Sequence, residues 1–86
     1  MELRLMYHQF MEGFYTPRLL RVLDDSPTNA DMIRNYGRLE AVCQRLMPHI
    51  EAIVGLTSEG SETHQQAVVK LNSIRELHQY LLTFLK

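Results

Sequence analysis

Eighty-six residues, 45% of them hydrophobic and 22% charged, fit one small globular domain and argue against a disordered tail. Nine Lys and Arg against ten Asp and Glu give a net charge of −1 with no basic cluster, so the phosphate backbone of a nucleic acid finds little to hold it. The single cysteine cannot form an internal disulfide, and the opening residues mix charge into an apolar stretch too short for a secretory signal or a bilayer span, which points to a cytoplasmic protein with no membrane role.

Helical periodicity recurs in three segments and sustained alternation in none, so the expected fold class is all-α. The arrangement predicted is an antiparallel helical hairpin with an additional N-terminal helical segment, three helices in a single domain over residues 1–86. In the N-terminal segment, residues 1–24, Leu3, Tyr7, Phe10 and Phe14 recur at spacings of four, three and four, with Met6 and Met11 beside them. Gly13 and Pro17 predict a break near residues 13–17, because proline lacks the N–H that closes a helical turn and disfavours the α conformation at Thr16. Thr16 would then cap a second piece opening at Pro17 and carrying Leu19, Leu20, Val22 and Leu23.

The run from Asp24 to Asn29 is the strongest turn signal. Either Ser26 caps the next helix with Pro27 at its first position, or Thr28 caps it with Asp31 in the first turn. A central helix over residues 27–55 follows, in which Met32, Tyr36, Leu39, Cys43, Leu46, Ile50 and Ile53 step 4, 3, 4, 3, 4, 3. Pro48 falls inside this run, yet the phase holds across it, which predicts a kinked helix rather than a broken one, stopped at Gly55. After a polar loop from Thr57 to Glu62, Ser61 caps a last helix over residues 61–86 whose seam is Ala67, Leu71, Ile74, His78, Leu81 and Leu85. Two seams of one period joined by a short loop pack antiparallel.

Convergent chemistry is missing from the pattern. Cys43 occupies a core position, where a free thiol behaves as a small hydrophobe, and His78 lies on the seam of the last helix. His8, His49, His64 and His78 are scattered one per segment, so no pair has metal-ligand spacing. Asp24, Asp25 and Asp31 lack the pattern of a calcium loop, and Gly55 and Gly60 lack that of a phosphate loop. The expectation is therefore no catalytic residue, no metal, no cofactor and no small-molecule substrate.

What remains is surplus apolar surface. Val69 and Tyr80 lie opposite the seam of the last helix, near Asn72 and Glu76, and the expected break separates the N-terminal stripe from the hairpin. Leu5, Met11 and Tyr15 are left over as well. Tyr7, Phe10, Phe14, Val69 and Tyr80 are the candidate partner-binding residues.

The segment Ser26-Pro27-Thr28-Asn29-Ala30-Asp31-Met32-Ile33-Arg34-Asn35-Tyr36-Gly37-Arg38-Leu39 resembles the turn and second-helix start of small helical-hairpin proteins of type III secretion systems. There a proline-polar turn precedes a helix with an aliphatic pair, then Tyr, then Leu. The ending, from Gly60-Ser61-Glu62 through Leu85-Lys86, is similar to the second helix of the short co-chaperones that hold needle subunits. The resemblance implies a hairpin that works by pairing its apolar face with other helices, and it carries over no functional residue. The function expected is a non-enzymatic helical interaction module, such as an adaptor, a small chaperone or an inhibitor, that binds a partner protein. The alternative is a self-associating structural subunit, a homodimer or filament component.

Overall fold

A computed structural model of the chain describes residues 2–85, so positions 1 and 86 of the expected terminal segments lie outside the described residues. Helix α1 covers Leu3–Asp24, α2 Asn29–Arg34, α3 Tyr36–Leu56 and α4 Glu62–Leu82, and a single 3-10 turn follows at Thr83–Leu85. The described residues contain no strand, and the fold is all-α. Helix α3 is the central element, with α1 packed along one side and α4 along another.

The side-chain pairings give the directions. His8 meets His49 and Asn35 meets Asp25 and Ser26, so α1 and α3 run antiparallel. Thr57 meets His64 and Glu51 meets Arg75, so α3 and α4 form the antiparallel hairpin. The core joins Leu19 and Val22 of α1, the α3 seam Leu39, Cys43, Leu46, Ile50 and Ile53, and Ala67, Leu71, Ile74 and Leu81 of α4. The two heptad seams thus meet as their common period requires.

Helix α1 is not broken at residues 13–17; it is one helix with Gly13 and Pro17 inside it. Both residues are exposed, so the carbonyl of Gly13 that loses its partner to Pro17 faces solvent, while Leu19 and Val22 stay in register with the core. Thr16 is accordingly not an N-cap: its hydroxyl donates to the Glu12 carbonyl within the helix. Pro48 obeys the same rule in α3, which is helical through it from Tyr36 to Leu56. Gly55 does not stop that helix, which runs on to Leu56 and has the Thr57 hydroxyl bonded to the Ile53 carbonyl. The positive φ falls instead on Gly60, at 90°, in the loop before α4.

The expected single helix over residues 27–55 is two helices. Thr28 caps α2 by accepting from the Asp31 amide, and Asn35, with φ −96° and ψ 12°, separates α2 from α3. The Asn35 side-chain amide donates to the Asp25 carbonyl and the Ser26 hydroxyl, which ties this joint to the end of α1. Ser26 is therefore a buried strut and not a cap; its hydroxyl also donates to the Val22 carbonyl. Ser61 caps α4 through the His64 amide as expected. The seam of α4 ends earlier than expected, because the tighter 3-10 turn rotates Leu85 outward and lets Phe84 pack on the core.

Candidate functional site

The largest exposed apolar feature follows from how α1 is seated. At ~100° per residue, its packing residues Leu5, Tyr15, Leu19, Val22 and Leu23 point roughly 150° away from Leu3, Tyr7, Phe10 and Phe14. The stripe lies on the outer face, with Leu3 79% and Phe10 72% exposed and Met6, Tyr7 and Phe14 also open to solvent. Leu5 and Tyr15, left over in the sequence reading, are the ones packed against the core, and Met11 is half-buried. The stripe is thus exposed, as expected of a surface separate from the hairpin, whereas Leu5 and Tyr15, expected as surplus surface, are core contacts.

Phe14 closes the stripe toward the C-terminal half of α1. The Arg18 guanidinium lies over its ring, 3.6 Å from the centroid, and also donates to the Phe14 carbonyl. Continuing the 4, 3 spacing past Phe14 reaches Pro17 and then Arg21. The sequence reading missed Arg18 and Arg21, although extending that spacing by one heptad would have found Arg21. Among the described residues neither arginine has a carboxylate partner.

The other two candidates stand apart from this stripe. Val69 is exposed on the outer face of α4, about three turns from Tyr80. Tyr80, 43% exposed, lends its hydroxyl to Asn29 Oδ1 at 2.7 Å and packs edge-on against Phe84. It therefore ties the end of α4 to α2, and only part of its ring is open. The structure brings Tyr7, Phe10 and Phe14 together and leaves Val69 and Tyr80 as separate features of α4.

Three further groupings gather polar or titratable side chains. Between α1 and α4 lies a cleft of about 380 Å³, floored by Ile50, Ile53 and Ala67. Lys70 spans it, 2.7 Å from Glu12 and 2.8 Å from the Thr16 hydroxyl, so its charges satisfy each other. Around Glu40 gather Cys43 and His78, whose Nε2 lies 3.6 Å from the Glu40 carboxylate. Burial, and secondarily Glu40, pushes the Cys43 thiol up to about 11. A fully buried thiol that holds its proton at neutral pH is the reverse of an activated nucleophile. Third, His8 and His49 meet at the N-terminal end of α1, with the Tyr15 ring stacked on His49 and Tyr7 edge-on to both. No carboxylate or thiol completes a metal-ligating group of three there or elsewhere among the described residues.

No helix among the described residues is long and apolar enough to cross a membrane. No protein-family model, curated protein or solved structure matches this chain.

Proposed function

We propose that this protein is a non-enzymatic helical interaction module that binds a partner protein through the outer face of α1. The observation that carries this reading is the placement of Leu3, Tyr7, Phe10 and Phe14: large apolar side chains at heptad spacing on the side of a packed helix that the bundle does not use. A contiguous apolar face of this kind is costly to leave in water and is a common mark of an interface. Val69 and the open part of Tyr80 are secondary contacts on α4. The adaptor, small-chaperone and inhibitor roles all fit such a face, and the resemblance to small hairpin proteins of type III secretion systems points the same way. The alternative is self-association, in which the same face meets a second copy.

Phe10→Ala and Tyr80→Ala, each measured for thermal unfolding and for association, test the reading. Phe10→Ala is expected to leave unfolding within about 0.5 kcal/mol and to weaken association by about 2 kcal/mol or more, as an aromatic anchor does. Tyr80→Ala should affect both, since its hydroxyl also serves the fold. Loss of folding in Phe10→Ala without a separate effect on association would contradict the proposal.

A further inference from the structure

The geometry points to a divalent metal site between α1 and α3, in which the Nδ1 atoms of His8 and His49 bind one copper(II), nickel(II) or zinc ion and water fills its other positions. The site does not depend on the α1 outer face being an interface. Spacing along the chain hides it, because the two histidines lie 41 positions apart and only the antiparallel seating of α1 on α3 brings them together.

Two nitrogens held about 2.0–2.1 Å from one ion lie about 2.9 Å apart at a right angle and about 3.4 Å apart at the tetrahedral angle. The observed 3.0 Å falls inside that interval, nearer its lower end. A right angle belongs to the tetragonal arrangement of nitrogen and oxygen donors that copper(II) and nickel(II) prefer. Rotation of each ring about its side-chain bonds turns the two lone pairs from each other onto a common point. The ion takes the place of the one hydrogen that two neutral rings share there. That hydrogen leaves Nδ1, the same ring takes one up at Nε2, and both rings stay neutral.

The surroundings suit such an exchange. Tyr15 stacks on the His49 ring, 5.9 Å between centroids and 19° between planes, and Tyr7 stands edge-on to His8 and His49 at 5.0 and 5.7 Å. These aromatic walls orient the imidazoles, as the groups around a metal ligand must. Both histidines are half-buried, so an ion and its waters can reach the gap.

Two protein ligands make a weak, exchangeable site and not a closed structural centre, since no third His, Cys, Asp or Glu joins them among the described residues. Of the charged residues one turn away along the two helices, Arg4 is paired with Glu2 and Glu12 with Lys70. Exposed Arg45 has no carboxylate partner among the described residues and works against a cation, though solvent screens it. Affinity therefore comes from the two metal–nitrogen bonds, which are strongest for copper(II). A bound ion ties α1 to α3 and stabilises the folded chain as its concentration rises over its dissociation constant.

The test titrates the intact protein with CuCl2, NiCl2 or ZnCl2, each alone, and follows unfolding of the wild type, His8→Gln, His49→Gln and the control His64→Gln/His78→Gln. About 1 mM nickel(II) is expected to raise the folded-to-unfolded ratio about tenfold or more in the wild type and the control, and in neither single variant. Copper(II) should act at the lowest concentration. Side-chain 15N spectra of the wild type with ZnCl2 ask the same question without mutation, so an unstable variant does not decide it. The Nδ1 signals of His8 and His49 should both shift, with those of His64 and His78 unmoved.

Absence of stabilisation by all three metals, or stabilisation that survives in either single variant, would overturn the site. So would a shift confined to one ring of the pair or centred on His64 or His78.

Discussion

The Nδ1 atoms of His8 on α1 and His49 on α3 lie 3.0 Å apart. Two neutral imidazoles can share such a contact, one donating and one accepting, whereas two imidazolium rings cannot, because both nitrogens then carry hydrogens. The groups facing the pair are the Tyr7 and Tyr15 rings, with no carboxylate among its contacts to take up a second charge. Burial, and secondarily the neighbouring His8, holds the His49 imidazole below its ordinary value of 6.5.

This lowered value fixes the sign of a pH effect. Below about 6.5 the unfolded chain takes up a proton at His49 more readily than the folded one, so stability is fully present above that pH and is lost as pH falls through the lower folded value. Melting temperature should fall between pH 7 and pH 5 in the wild type, and His49→Gln should fall less over that interval. Identical slopes for the two proteins would show that the pair does not respond to protons as described.

Gly13 and Pro17 should both be improvable. Gly13 is helical and exposed, with nothing within 4 Å of an added Cβ, so Gly13→Ala is expected to stabilise by about 0.5–1 kcal/mol. Pro17→Ala restores the missing amide and should add about 2 kcal/mol, less than the full helix-interior penalty because alanine also loosens the unfolded chain. Destabilisation by either substitution, measured by denaturant unfolding, would contradict the reading of Gly13 and Pro17 as tolerated costs within a continuous α1.

Leu46 is fully buried in the α3 seam and Ile74 nearly so in that of α4. Leu46→Ala and Ile74→Ala should each cost about 2–5 kcal/mol, with Leu46 the more damaging. In a domain of this size that is a large share of the stability, so a shift in the chemical midpoint is easily read. Variants that melt like the wild type would show that the seam is not the core.

The seams of α3 and α4 were legible because their residues are regular, apolar and mutually matched; Leu39 through Ile53 and Ala67 through Leu81 went where their period put them. Helix interruption was less legible. Proline and glycine carry a local cost, but whether a helix yields to it depends on whether the orphaned carbonyl meets solvent, which only the seating of α1 and α3 decides. The joint at Asn35 was hidden for a related reason: it depends on Asp25 and Ser26, contacts that no local pattern encodes.

The candidate surface was half legible. Its regular stripe was readable, but period alone cannot say whether a stripe finds its partner inside the chain. The face of α1 that packs inward, with His8 among Leu5, Tyr15, Leu19 and Val22, is the less regular of the two. Arg18 was hidden because only the folded helix shows its guanidinium over the Phe14 ring.

The central claim, that the outer face of α1 serves binding rather than folding, is tested most directly by replacing Phe10 with the photo-crosslinking amino acid p-benzoylphenylalanine in the protein's native cell. Arg38, exposed on α3, is the control position. The account predicts a discrete heteromeric adduct from position 10 upon irradiation and none from position 38. An adduct only at twice the chain's own mass would assign the face to self-association. Equal labelling from both positions, or no adduct from position 10, would contradict the claim that this face is a binding surface.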